Sequence, residues 1–456
     1  MDADLKEEFV SLMPLKTLLL ILALAFVRLG FAESLPTTSD PNLDSLIKLA
    51  WEKHPDLSSM RLMIEAESAR GVMAKGWMNP TLSVGLMDLP QSFDIHQDGG
   101  TSFNIGAMQR FSYPGKRRIS TEISGARVTA AELDYASARQ QMAAMVAMAY
   151  YGLAASIELD SLLRVGLSLT EEMATASGWM NASGMGRQSD VERANFEKEN
   201  WRLKIIANRG EIERQRADLA YAIGGAIDTS RRPTLPLDLP SLPKIDSVFA
   251  LGALERAPVV LAAMARAKGS ASSVKRAERE WYPDIDVSLT YGIKPYLRVT
   301  GYDATGMLMT EKMDMDNMIS LELSAPVPLF GKGNQKAQIA EASAMNSQAR
   351  ADASRVKLEL EKRLRKLHAS WKEQNDCCAF VKDNLIGQAD ALYQAVQIDY
   401  RAGKAPYMEL SRARMNLIMA YMELITSRAE AWGYKAEWDA ELGLIGETIE
   451  ENGGTR

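Results

Sequence analysis

The sequence predicts an exported α+β membrane protein made of two copies of one helix–β-hairpin–long-helix repeat. Three observations carry this. A secretory leader opens the chain, the sequence resembles itself at a slowly growing offset, and paired runs of alternating apolar and polar residues sit between long helical patterns.

Composition sets the limits. The 456 residues are 46% hydrophobic and only 7% aromatic, with 25 methionines, a balance that suits long, closely packed helices better than a broad globular core. A net charge of -6 offers no basic surface, so no nucleic acid is expected as a partner. The two cysteines, Cys377 and Cys378, are neighbours and cannot close an ordinary disulfide.

At the N-terminus, Lys16 precedes an apolar run over 18–27, and Gly30-Phe31-Ala32 supplies the small residues of a cleavage site. The run is too short for a membrane span of about 20 residues but fits a secretory h-region. Residues 1–32 are therefore expected to be a signal peptide cut after Ala32, with Met1 and Met13 both open as the start. The best later apolar candidate, 142–155, is Ala-rich and short for a span. An exported chain of this kind is periplasmic, secreted or an outer-membrane barrel.

The repeat appears in three registers. His54-Pro55 falls on Ala257-Pro258, Gly115-Lys116 on Gly331-Lys332, and Gly184 and Asp190 on Gly403 and Glu409. The offset grows from 203 to 216 to 219 residues without changing the order of elements, as expected of a duplication with insertions. The first repeat is assigned to 41–228 and the second to 246–446, with a tail over 447–456. Between the repeats, Pro233, Pro236, Pro240 and Pro243 make 229–245 an extended linker.

Each repeat opens with a helix, over 43–78 and 248–281, ended by a proline. Strict alternation follows: Leu82, Val84 and Leu86 against serine, threonine and glycine, then Ile285, Val287 and Leu289 against Asp284, Asp286 and Ser288. A second strand is predicted over 102–112 and over 318–329, giving one hairpin per repeat. After Gly115 and Gly331 the helical period returns. Ala349, Ala353, Val356, Leu360, Leu364, Leu367, Trp371, Cys378, Val381, Leu385 and Leu392 form a coiled-coil seam in the second copy. A helix over 334–400 would reach roughly 100 Å. It reverses at Ala402-Gly403, as the first does at Ser183-Gly184, and returning helices run to Gly224 and Gly443.

Four strands with one apolar face cannot close a barrel, and open edges in lipid leave backbone groups unpaired. Other copies must complete the sheet: two would give about 8 strands with a filled interior, three about 12 with room for a lumen. Asp284, Asp286 and Glu322 on the polar face are expected to meet water.

No constellation supports catalysis, a resident metal or a cofactor. His54, His96 and His368 are far apart, and Gly331-Lys332-Gly333 lacks the ending of a phosphate-binding loop. Met307, Met309, Met313, Met315 and Met318 offer soft sulfur ligands. If the strand extends backward from Ile319, however, the odd-numbered ones share the apolar, outward side.

The order of elements resembles the outer-membrane efflux protein family, the TolC-like exit ducts. Met87-Asp88-Leu89-Pro90, the run from Gln109 through Tyr113-Pro114-Gly115-Lys116 to Arg117, and Pro326-Val327-Pro328-Leu329-Phe330 resemble its heavy-metal (CzcC/CusC-like) branch. The resemblance implies a homotrimer in outer-membrane lipid, with a 12-stranded β-barrel and a long α-helical coiled-coil periplasmic tunnel. It also implies a periplasmic adaptor (membrane fusion protein) and an inner-membrane pump of the resistance-nodulation-division type. The turns between paired helices then form the periplasmic tip and gate: Gly184, Ser189, Asp190 and Val191 in the first copy, Tyr400, Gly403, Glu409 and Leu410 in the second. Rings of Asp190 or Glu409 would gather cations at the mouth; equally, each acid begins a helix and complements its dipole. The implied function is passive conduction to the exterior, with heavy-metal cations as the leading substrate. Export of organic drugs or solvents through the same duct, and an exported coiled-coil scaffold without a pore, remain open alternatives.

Overall fold

The computed structural model describes residues 40–225, 232–250, 252–327 and 331–445. The predicted leader, the tail, the start of the linker and Pro328-Leu329-Phe330 lie outside the described residues.

In chain order the first repeat comprises α1 (Pro41–Lys53), α2 (Pro55–Lys75), β1 (Thr81–Met87), β2 (Ser102–Phe111), α3 (Lys116–Ala182) and α4 (Gln188–Ala222). The second comprises α5 (Ile245–Ala250), α6 (Ala253–Arg256), α7 (Pro258–Arg279), β3 (Ile285–Ile293), β4 (Leu297–Tyr302), β5 (Leu308–Met313), β6 (Met318–Ser324) and α8 (Lys332–Phe380). A π-turn, Val381–Leu385, joins α8 to α9 (Ile386–Arg401), and α10 (Tyr407–Leu442) returns. Both opening helices are split where a proline follows. The His54 N–H closes on Ala50, the Ala257 N–H on Ala253, and the next helix starts at Pro55 or Pro258.

Packing gathers the chain into two compact units, each drawing on both repeats. The strand-bearing unit holds Ser59–Tyr135 and Pro258–Glu359; the helical unit holds the chain up to Ser58, Ala136–Ala257 and the chain from Leu360.

In the strand-bearing unit, β1-β2-β3-β6 form one antiparallel sheet in that order. The second repeat departs from the predicted single hairpin. It inserts β4 and β5, which pair only with each other. Strand β6 ends at Ser324, short of the predicted 329, because Pro326 has no N–H to donate to a ladder.

In the helical unit, α3 passes an apolar stretch, Ala143, Val146, Ala147, Tyr150, Leu153 and Ala154, through the core, all buried. An 18-residue window of α3 is apolar enough to span a membrane by composition, and 67% of that window is buried here. Asp40 caps α1 by accepting from the Asn42 N–H, and its carboxylate also takes the Tyr150 hydroxyl (2.5 Å) and the Thr234 hydroxyl (2.9 Å). Further along, Leu163, Leu169, Trp201, Ile205 and Ile418 form a second core cluster.

The predicted seam holds from Leu360 to Val381 and then fails. Leu360, Leu364, Leu367, Trp371, Cys378 and Val381 are buried, but Leu385 and Leu392 are exposed. The π-turn explains the difference, since it adds one residue to a helical turn. Beyond it the buried positions are Ala389 and Val396, eight and fifteen residues past Val381 rather than seven and fourteen.

Candidate functional site

Cross-strand register builds the first functional surface. Leu82, Ala107, Leu289 and Leu321 stand in one row, Val84, Ile105, Tyr291 and Ile319 in the next. Leu86, Phe103 and Ile293 continue the same face. Its large side chains are exposed, Leu82 by 72% and Ile319 by 74%, so nothing among the described residues covers them. The opposite face carries Ser83, Gly106, Thr290 and Ser320, then Thr81, Met108, Ser288 and Glu322. A Cβ at Gly106 would lie 2.8 Å from the Ser83 hydroxyl and 2.9 Å from that of Thr290, so small polar groups crowd this row. Within the sheet, the outer edges of β1 and β6 are unpaired.

The polar face is less open to water than its sequence suggests. Arg110 grips Asp286 with two hydrogen bonds of 2.7 and 2.8 Å, so that carboxylate is paired rather than free. Asp284 is turned to the base of the sheet, where the Lys116 ammonium donates to it at 3.0 Å and the Tyr113 N–H at 2.9 Å. Lys116 is buried, and Glu280 lies on its other side at 3.0 Å. Arg276 in turn donates to Ser120 and pairs with Glu280. A buried cation held by two carboxylates is costly to break from either side. It ties the starts of α3 and β3 together where strand becomes helix. Sequence reasoning quoted Lys116 within Tyr-Pro-Gly-Lys but gave it no role. The signal was there: Gly115, at φ +92°, sets the turn that buries the next side chain.

The second surface is the pair of helix reversals in the helical unit. Gly184 and Gly403 both take left-handed φ, +75° and +68°. Their N–H groups close on Asn181 and Tyr400, and the next two N–H groups close on Met180 and Asp399. Asp190 and Glu409 are each the third residue of the returning helix, their N–H groups closing on Arg187 and Pro406. Gly184, Ser189, Gly403, Tyr400 and Glu409 are exposed; Asp190, Val191 and Leu410 are half-buried. The structure thus puts the predicted residues into two matching turns. The Ser177 hydroxyl, 3.6 Å from the Met408 sulfur, links α3 to α10 nearby. Neither turn carries a net negative charge: Asp190 and Glu192 sit with Arg187 and Arg193, and Asp399 and Glu409 with Arg401, Lys404 and Arg412.

The methionine cluster does not follow the predicted parity. No strand runs backward from Ile319 past Met318. Residues 314–317 are outside the strands, and Met309 and Met313 belong to β5 in the separate two-stranded sheet. A Cβ on Gly99 would meet the Met315 methyl at 3.2 Å, whereas Met307 is 72% exposed. The inserted hairpin is held to the first by His96, whose ring stacks on Tyr296 at 3.8 Å and whose carbonyl accepts from the Arg298 N–H.

An incomplete sheet with one exposed apolar face, rooted in long paired helices, defines a component of a membrane channel. Two stretches, 46–225 and 252–431, match the outer membrane efflux protein family, and the chain belongs to that family. It is an outer-membrane protein. Among solved structures it is similar to the outer membrane protein VceC of Vibrio cholerae, with TM-score 0.72 at 18% identity, covering 90% of this chain and 99% of that one. It is also similar to the channel protein CusC, with TM-score 0.72 at 14% identity, covering 88% and 92%. A fusaric acid resistance protein of Burkholderia cepacia, FusA, is 25% identical over 321 residues. That alignment spans 67% of this chain and 58% of the relative, less than two thirds of its length.

Proposed function

We propose that three copies of this chain form the exit duct of a tripartite efflux system. The observation that carries this is the four-stranded sheet with a continuous exposed apolar face and two unpaired edges. Edge strands in lipid leave N–H and C=O groups unsatisfied. Joining β6 of one copy to β1 of the next removes both edges of this sheet, and three copies give about 12 strands and a lumen. The polar rows then line the lumen and the apolar rows meet lipid. The duct is passive. A periplasmic adaptor docks at the helix reversals, and an inner-membrane pump of the resistance-nodulation-division type supplies the energy. Gly184, Ser189, Asp190, Val191, Tyr400, Gly403, Glu409 and Leu410 form the tip, where the resting duct is closed.

Purified protein should run as a heat-modifiable trimer and give small, mostly closed currents in planar bilayers. Asp190→Ala with Glu409→Ala should raise the basal current, because both acids sit on the reversals that close the mouth. A stable monomer sinks the duct; an unchanged current in the double variant reduces the acids to helix-end residues. Two substrate classes stand. The Tyr-Pro-Gly-Lys and Met-Asp-Leu-Pro motifs favour heavy-metal cations, while similarity to a fusaric acid resistance protein favours an organic acid. The tips, with no net negative charge, favour neither. Disrupting the gene and measuring tolerance to metal salts and to fusaric acid side by side separates them.

A further inference from the structure

Helix α3 divides two hollows in the strand-bearing unit. On one side Lys116, Arg110, Asp286 and Ser324 line a hollow that opens onto the polar face of the sheet. Arg118 and Glu122 lie about 200–240° around the helix from Lys116, at 100° per residue. There they line a groove of about 380 Å³ with Lys275, Glu278, Arg279 and Tyr282 of the neighbouring α7 and the residues just after it. Lys116 and Ser120 make the contacts to Glu280 and Arg276 that close α3 on α7. The groove therefore lies on the opposite side of α3 from the hollow that opens onto the polar face.

Three features make this more than a charged surface. The groove holds three cations and two carboxylates, and only Arg118 and Glu122 are paired, loosely, at 3.8 Å. Lys275 and Arg279 have no carboxylate partner among the described residues; Arg279 is instead held in place by donating to the Pro114 carbonyl at 3.1 Å. Its wall is aromatic, since Tyr282 stacks on Tyr113 at 4.5 Å. Two residues before Tyr113 the inner end of the apolar face closes with Phe111, whose ring meets Trp77 edge-on at 5.6 Å. The Arg117 guanidinium, one residue before Arg118, caps the Trp77 ring at 4.1 Å. Aromatic rings mark the membrane–water boundary of barrels, and cations just beyond it attract anionic headgroups.

We propose that this groove binds the phosphate headgroup of an anionic phospholipid whose acyl chains lie along the apolar rows of the sheet. The proposal rests on those rows facing lipid. Tyr282 and Trp77 set the depth, and Arg118, Lys275 and Arg279 surround the phosphate. Glu122 and Glu278 at the rim admit a headgroup that carries a donor, such as the hydroxyls of phosphatidylglycerol.

Delipidated full-length protein in detergent is offered phosphatidylglycerol or phosphatidylcholine, and retained lipid is counted by native mass spectrometry. The unmodified protein should retain phosphatidylglycerol preferentially. Arg118→Gln with Lys275→Gln should weaken that retention by about fivefold per cation removed, leaving phosphatidylcholine unchanged. If the double variant folds poorly, Lys275→Glu alone should act in the same direction, since Lys275 makes no hydrogen bond among the described residues. Equal retention of the two lipids, or full retention by the variants, overturns the proposal. Displacement of the lipid by millimolar inorganic phosphate would mark a free-anion site and overturn it too. Retention of neither lipid overturns it differently, by removing the lipid-facing sheet on which it stands.

Discussion

At Gly184 and Gly403 the two helical hairpins reverse with the same hydrogen bonds, and at Gly224 and Gly443 they end with the same left-handed glycine. Between those fixed ends they are filled differently. Helix α3 runs 67 residues without a break, whereas α8 reaches α9 through a π-turn. At the 219-residue offset that matches the reversals, Gly166 falls on Leu385 and Trp201 on Ala420. In the first hairpin Trp201 lies so close over Gly166 that a Cβ there would sit 2.5 Å from the indole. In the second the buried partner is a small alanine, and Leu385 points outward from the π-turn. One copy keeps its helices in register by a large-into-small contact. The other takes up an extra residue.

That difference can be broken most severely by changing register. Deleting Asn384 from the π-turn should restore an ordinary helix and leave Val381 on one side, and Ala389 and Val396 on the other, facing the seam. The protein should still fold. Deleting Lys372 instead turns Cys378 and Val381 about 100° off the seam and should abolish the folded protein, as read by circular dichroism and heat-modifiable migration. Equal damage from the two deletions would mean that the π-turn does not carry the register.

A smaller effect separates the two packing solutions. Trp201→Ala empties a buried indole site beside Leu163, Leu169, Ile205 and Ile418 and should cost about 3–5 kcal/mol. Leu385→Ala, at the position of the second hairpin that matches Gly166 beneath the indole, removes an exposed side chain and should stay within about 0.5 kcal/mol. Thermal unfolding of the two variants checks the contrast; similar losses would show that Leu385 is covered in the assembled protein.

Much of this was legible in the sequence, for reasons that can be named. Period-2 alternation fixed the faces of β1 and β3 because a pleated strand has only two sides. The paired glycines located both reversals because few other residues accept their φ. The π-turn was not legible, since Val381-Lys382-Asp383-Asn384-Leu385 contains no proline or glycine and satisfies the heptad as written. Its insertion is decided by packing against α10. The pairs Arg110–Asp286 and Lys116–Asp284 were missed for a related reason: each joins residues more than 160 positions apart, the first across β2 and β3 and the second from the start of α3 to the residue before β3, and only the register brings them together. The parity argument for the methionines failed because it presumed a strand that the inserted hairpin replaces.

The subtlest contrast lies between two glutamates that the duplication makes equivalent, Glu211 and Glu430, related by the same 219-residue offset. Glu211 accepts from Gln215 at 2.8 Å and from the Arg214 Nε at 3.0 Å, and these bonds hold its carboxyl below the ordinary range. Glu430 has no such donor among the described residues; partial burial, then the charges of Glu423 and Glu373, push its carboxyl up. Linkage gives the two opposite signs. A depressed carboxyl contributes stability above its unfolded value and loses it as the pH falls through the folded one. A raised carboxyl holds its proton longer in the folded protein, so stability falls as the pH rises from the ordinary carboxylate range through the raised value. At neutral pH, Glu211→Gln should therefore lower the unfolding midpoint slightly and Glu430→Gln should raise it slightly. Near pH 4, about where free carboxylates titrate, the gain from Glu430→Gln should vanish. Below the depressed value the loss from Glu211→Gln should vanish as well. Both side chains are largely solvent-facing, so screening keeps the effects small and added salt should shrink the Glu430 effect further. Midpoints that move the same way in both variants would mean that the two hairpins, despite their shared backbone, do not present these carboxylates to different fields.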